Sequence, residues 1–126
     1  MKKLLLIAGL AISLSSFAQA GSNDDVANAL KKADIASFNS YFDNTVDVKL
    51  PDKDEAKGIE KASAGSTFKE FIDKSGIKGF ELTSQRAMGG TMYMAGKLTG
   101  GAKPYNITVM MKNKDGKVYV ITVRVN

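Results

Sequence analysis

The side chains able to do chemistry in this sequence are carboxylates, amines and phenols, because it contains neither histidine nor cysteine. A Ser-His-Asp triad, a Cys-His dyad and the usual zinc sites each need one of those two residue types. An aspartate base paired with a tyrosine hydrogen-bond donor needs neither, and such a pair can catalyse an isomerisation. The residues that could supply this pair are Tyr41, Asp43, Asp47 and Tyr93.

The alternative interpretation is that Asp43 and Asp47 are solvent-exposed residues without a catalytic role. Asp47 alternates with Lys49 on the polar side of a predicted strand, and Asp43 stands where that strand begins. An acid and a base must both reach the reacting atoms, and spacing alone does not bring them together. We therefore assign no catalytic residue and keep an isomerase- or lyase-like enzyme as an alternative.

Methionine is concentrated in one part of the chain. Because the thioether side chain is flexible, such a cluster is typical of a soft core and also suits an adaptable apolar pocket. Thioethers also bind Cu(I), but without His or Cys a copper site is disfavoured, and we expect no metal and no cofactor. The five of the six methionines that fall in this cluster are Met88, Met92, Met94, Met110 and Met111.

Aromatic residues extend this methionine cluster to a candidate pocket. Some of them lie on predicted helices, and one tyrosine stands between two methionines of a predicted strand. Core packing is the competing interpretation for all of them. The candidate pocket residues are Phe38, Tyr41, Phe71, Met92, Tyr93, Met94 and Met110.

The acidic stretch 52–55 does not predict a calcium site, because it lacks the ligand spacing and the closing Glu of a calcium loop.

Apolar spacing predicts helices in the first half of the chain and mostly strands in the second. One helical region covers 22–42, capped by Ser22 or Asn23 and broken at Ala33-Asp34; another covers 59–75. In the latter, the apolar stripe consists of Ala64, Phe68, Phe71 and Ile72. Alternation and turn residues predict strands over 45–50, 79–86, 91–98, 105–112 and 117–125.

The last two predicted strands form a hairpin on which the other elements pack. Asp115-Gly116 lies between β-branched runs, which is a strong hairpin signal. Tyr119, Ile121 and Val123 should share one unbroken apolar face with Val125. The order of elements predicts an α+β fold in which N-terminal helices pack on a curved antiparallel sheet of about five strands.

The first twenty residues have the features of a signal peptide. Lys2 and Lys3 precede the apolar run 4–14, and Ala18-Gln19-Ala20 fits a cleavage site. We expect cleavage after Ala20, a single domain over 21–126, and a periplasmic or secreted bacterial protein without a membrane span after cleavage.

The remaining charge is small. Subtracting Lys2 and Lys3 from the formal net charge of +5 leaves +3 for residues 21–126. A nucleic-acid surface needs a clustered basic stripe, whereas these charges are interleaved along the chain. We therefore expect no nucleic-acid partner.

The sequence resembles a family of small secreted Bacteroidota proteins of unknown function with a cystatin-like, nuclear-transport-factor-two-like fold. One departure is Ala33-Asp34, which stands where a Gly-containing turn is expected. The resemblance implies a cone of helices and curved sheet and brings no catalytic residues. It depends on the stretches 41–48, 61–64, 68–72, 93–98, 105–107 and 121–125.

Two known activities of this superfamily are disfavoured by the residues present. The protease-inhibiting hairpin of cystatins, Gln-x-Val-x-Gly, has no counterpart in the chain. Dehydratases that use a His-Asp pair are excluded because there is no histidine.

Our leading interpretation is a non-catalytic secreted domain that binds a small apolar ligand or a protein partner. A structural domain that forms a homodimer through the sheet is a further alternative.

Overall fold

The computed structural model describes residues 17–126, with side chains from residue 24 onward. Two helices, two strands, a third helix and four further strands follow one another along this part of the chain, and none of these helices is long and apolar enough to cross a membrane. The elements are α1 (Phe17–Lys31), α2 (Ile35–Ser40), β1 (Phe42–Lys49), β2 (Ala56–Glu60), α3 (Lys61–Ser75), β3 (Gly79–Met88), β4 (Thr91–Thr99), β5 (Tyr105–Lys114) and β6 (Lys117–Val125).

The predicted break between the first two helices is confirmed. Ala33 adopts a left-handed conformation with a φ of 54°, which ends the helical path. Asp34 then caps α2, because its carboxylate accepts a hydrogen bond from the Ser37 amide at 3.2 Å. The expected start at Ser22 or Asn23 is wrong, since α1 already begins at Phe17.

The predicted α+β class is confirmed, with a six-stranded curved sheet of order β2-β1-β6-β5-β4-β3. Two details differ from the expectation. The short strand β2 was not predicted, because its exposed residues show no apolar alternation. The neighbours β1 and β6 run parallel, whereas an antiparallel sheet was expected.

A β-bulge interrupts the inward-facing residues of β6. Met111 pairs with Val120, but the adjacent Met110 pairs with Thr122, so Ile121 is the extra residue. The bulge shifts the buried positions, and the prediction of one unbroken face through Tyr119 and Ile121 is wrong. The apolar residues of β6 that are buried are Val118, Val120, Val123 and Val125.

The space between the helices and the sheet is filled by close-packed side chains. Phe38 of α2 contacts Phe42 edge-on at 5.4 Å and Phe68 of α3 at 5.1 Å between ring centroids. Met94 and Met111 reach the same core from the sheet and are fully buried. The predicted role of methionine as a core residue is thus confirmed for these two.

Candidate functional site

The candidate pocket residues lie in several different places. Phe38 and Met94 are fully buried in the core. Tyr41 is half-buried and borders a surface hollow with Tyr119 at the start of β6. The other four residues lie on both faces of the sheet and on α3, so the seven do not line one cavity.

Met92 borders an open hollow at the free end of β3 and β4. It lies opposite the buried Met111 and is half-buried itself. The hollow holds about 220 Å3 and is also lined by Gln85, Arg86 and Ala87. Met88 at the end of β3 is 59% exposed, the most exposed large apolar side chain of the described residues. The hollow at this end of the cone is therefore open and shallow, and it does not form a deep pocket.

Tyr93 and Met110 lie on the other face of the sheet, away from the helices. They are direct cross-strand partners between β4 and β5. The Arg86 guanidinium lies 5.9 Å from the centre of the Tyr93 ring, a cation–π distance. These two residues therefore do not contribute to the interior of the cone.

The aspartates considered for acid–base chemistry are engaged in structural contacts. The Lys114 amine binds the Asp43 carboxylate at 2.9 Å and, with the Asn44 amide, lowers the pKa of Asp43, which makes this carboxylate a weaker base. Asp47 accepts a hydrogen bond from the Gly58 amide at 2.7 Å. Across residues 24–126 the carboxylates form no cluster that could hold a metal ion.

Tyr41 borders a hollow that these aspartates do not line. Burial raises the pKa of its phenol above 10.0, and the negative charge of Asp25 raises it further. The phenol therefore stays protonated at neutral pH, as a hydrogen-bond donor requires. Its hollow is formed with Ser40, Lys117 and Tyr119, and neither Asp43 nor Asp47 lines it.

Phe71 lies at the edge of the core, in a hollow between α3 and the connection that follows β1. Its neighbours in the α3 stripe, Phe68 and Ile72, are buried, whereas Phe71 is only half-buried and packs edge-on against Tyr105 at 5.2 Å. The hollow holds about 280 Å3. It is lined by Leu50, Pro51, Lys53, Thr67, Glu70, Phe71, Lys74 and Ser75.

A tight turn shapes the wall of this hollow opposite α3. The Lys53 amide donates a hydrogen bond to the Leu50 carbonyl at 3.2 Å, which closes a turn around Pro51 and Asp52. Pro51 suits the second position of such a turn, and Asp52 adopts the left-handed conformation, with a φ of 63°, that a type II turn needs at the third. The turn presents Pro51 and Lys53 to the hollow.

A second hollow of about 360 Å3 adjoins the first and shares Pro51 with it. Because Phe71 lines the first hollow, Tyr105 lines the second and their rings touch, we treat the two together as the Phe71 groove. The second hollow is lined by Lys49, Pro51, Asp52, Lys103, Pro104, Tyr105 and Asn126.

Amines border the Phe71 groove on both sides. The Lys103 amine lies 5.3 Å from the centre of the Tyr105 ring, and Lys49 donates to the Leu50 carbonyl at 2.7 Å. Lys53 and Lys74 border the first hollow, where Glu70 is the single carboxylate among the lining residues. Sequence reasoning selected Phe71 but missed the lysines, Pro51 and Tyr105, because no local pattern connects segments so far apart in the chain.

The helices packed on a curved six-stranded sheet give this chain the fold that is also found in cystatin-fold and NTF-2-like proteins. An NTF-2-like protein of unknown function from Burkholderia xenovorans matches with a TM-score of 0.64 and 13% identity, over 88% of this chain and 83% of its own. A cystatin-fold protein from Novosphingobium aromaticivorans matches with a TM-score of 0.62 and 12% identity, over 86% and 97% of the two chains.

The chain belongs to the family described as a domain of unknown function, DUF4783, whose sequence profile matches residues 23–126. A DUF4783 protein from Bacteroides ovatus has a similar structure, with a TM-score of 0.74 at 17% identity over 80% of this chain and 90% of its own. No curated protein sequence matches significantly. The predicted resemblance to a family of unknown function with this fold is confirmed, and these comparisons establish no activity.

Proposed function

We propose that this protein is a non-catalytic secreted domain that binds a small apolar ligand in the Phe71 groove. The observation that carries the proposal is the half-buried ring of Phe71, which extends the apolar core to the surface beside Tyr105. Large apolar side chains beside a surface hollow favour ligand binding, because covering them removes apolar area from water.

The filled interior of the cone supports this location. Met94, Leu98 and Val109, which face the helices from the sheet, are at most 1% exposed and leave no room for a ligand beside them. The hollow at Phe71 is close to the lower limit of about 300 Å3 for ligand pockets. A compact aromatic or short aliphatic molecule therefore fits better than a large one.

Indole is a suitable first probe for this site. We expect titration with indole to shift the backbone NMR signals of residues 50–53 and 67–75 in a saturable way. Phe71→Ala should abolish these shifts, while Met92→Ala, which alters the hollow at the other end of the cone, should leave them unchanged. Tyr105→Leu should weaken binding, because it removes the aromatic edge contact with Phe71.

The stability of Phe71→Ala must be measured alongside binding. Because Phe71 is only half-buried, we expect the free energy of unfolding to fall by less than the roughly 3–5 kcal/mol typical of a fully buried Phe. A folded Phe71→Ala variant that still binds indole at residues 67–75 would refute the proposed site. Shifts confined to residues 85–92 would instead place the ligand beside Met92, and a wild-type protein that shows no saturable shift would refute small-ligand binding.

A further inference from the structure

We infer that the Phe71 groove selects ligands with an anionic group on an apolar body, and that the amines of Lys53 and Lys74 bind the anion. This inference rests on the proposed function and adds the chemical class of the ligand. It follows from the arrangement of charge around the first hollow. Leu50, Pro51 and Phe71 supply its apolar lining, and the two lysines come from the two segments that enclose it, α3 and the turn after β1.

The two lysines are placed by different elements. Lys74 follows Phe71 by three residues on α3, and residues with this spacing lie on the same side of a helix. Lys53 is held by the turn around Pro51 and Asp52, whose hydrogen bond joins the Lys53 amide to the Leu50 carbonyl. A carboxylate between them would have a cation on each side while its apolar part covers Phe71.

Neither amine forms a close ion pair within the described part of the chain. Lys53 forms no ion pair there, and Lys74 has only a loose pair with Glu70 at 3.8 Å. The Glu70 and Lys74 side chains are 66% and 75% exposed, so water screens this pair. Both lysines can therefore turn towards an incoming anion at little cost.

The charged side chains that line the first hollow leave a positive excess. Lys53 and Lys74 stand there against the single carboxylate of Glu70. The end of α3 opposes an anion, because the last turn of a helix carries a partial negative charge. The lysine side chains, and not the helix, must therefore provide the attraction.

A matched pair of probes separates the charge from the apolar body. Indole-3-propionate and indole-3-propanamide share one apolar group and differ in the negative charge. For the wild-type protein at low salt we expect the carboxylate to bind about 3–10-fold more tightly than the amide, the scale of two partly exposed ion pairs. This preference should shrink at about 0.5 M NaCl, because salt screens exposed charges.

The double variant Lys53→Gln/Lys74→Gln tests the two amines directly. It should bind both probes with the affinity that the wild-type protein has for the amide. Lys69→Gln is the matched control, because Lys69 also lies on α3 but pairs with Asp73 at 2.9 Å and borders a different hollow. It should keep the preference for the carboxylate.

The remaining outcomes distinguish a failure of the anion inference from a failure of the proposed function. If the wild-type protein binds both probes equally and Phe71→Ala binds neither, the anion inference is overturned and the proposed site stands. If the double variant keeps the wild-type preference, the anion is bound elsewhere and the inference is likewise overturned. If the wild-type protein binds neither probe, both the inference and the proposed function fail.

Discussion

Phe68 and Phe71 show how two residues of one apolar stripe can have different roles. They are three residues apart on α3, so helical periodicity assigns them to one face. Phe68 points into the middle of the core and is fully buried, while Phe71 lies where the core meets the surface. Periodicity identifies the buried face of a helix but not the distance of each residue from the edge of the sheet beneath it.

The ion pair between Asp43 and Lys114 should make stability depend on pH. The Lys114 amine and the Asn44 amide bind the ionised carboxylate, so the pKa of Asp43 is lower in the folded state than its ordinary value of 3.8. The stabilisation is therefore complete above that ordinary value and is lost as pH falls through the lowered one. Because the two side chains are 19% and 40% exposed, we expect no more than about 1 kcal/mol.

Asp43→Asn measures this contribution. Urea unfolding should show the variant to be less stable than the wild-type protein at pH 7, with a difference that diminishes towards about pH 2. The control is Asp115→Asn, which removes a carboxylate from the same end of the sheet that forms no ion pair with the described residues. An Asp43→Asn difference that is the same at both pH values would contradict the assigned ion pair.

At the scale of an element, Gly96 controls how β3 and β4 approach each other. A β-bulge lies opposite it, where the pairing shifts between Leu82 and Ser84. A Cβ atom at position 96 would collide with the Glu81 carbonyl oxygen and would lie 2.6 Å from the Phe80 ring. Gly96 thus lies opposite a bulge in the partner strand, at a close approach of the two backbones.

Gly96→Ala should therefore be strongly destabilising. Overpacking costs about 1–3 kcal/mol and occasionally more, and we expect the upper part of this range because one of the clashing atoms belongs to the backbone. Gly90→Ala is the matched control, since a Cβ there meets no atom within 4 Å. Chemical denaturation of both variants is the measurement, and near-equal midpoints would contradict the tight packing at Gly96.

Local patterns predicted the elements that have a clear apolar period. The hairpin at Asp115-Gly116 and the break at Ala33 were recovered because turn chemistry and helix capping act over a few residues. The strand β2 and the bulge at Ile121 were missed. An exposed edge strand has no buried face to mark it, and a bulge changes side-chain direction without changing residue types.

At the scale of the whole molecule, the candidate site combines segments that the sequence keeps apart. Pro51 follows β1, Phe71 belongs to α3 and Tyr105 begins β5. Their meeting depends on the order of strands in the sheet and on the parallel pairing of β1 with β6. Composition limited the chemistry by excluding His and Cys, but only the folded chain brings the aromatic rings and lysines together.

The folded domain should not need the residues before the proposed cleavage site. The proposed cleavage after Ala20 removes none of the buried core residues of the described chain, the first of which is Val26. A protein comprising residues 21–126 should therefore unfold cooperatively on heating. A protein comprising residues 32–126 should not fold, because it lacks Val26 and Leu30, and truncating each buried side chain would already cost about 2–4 kcal/mol.

Export of a protein comprising residues 1–126 from a bacterium tests the same boundary. The intact mass of the exported protein should be that of residues 21–126. Ala20→Phe should prevent processing, because the cleavage site requires a small residue at this position. An exported wild-type protein whose mass retains residues 1–20 would refute cleavage after Ala20. If the protein of residues 21–126 instead melts without a cooperative transition, α1 needs its first residues, Phe17 to Ala20, to pack stably on the sheet.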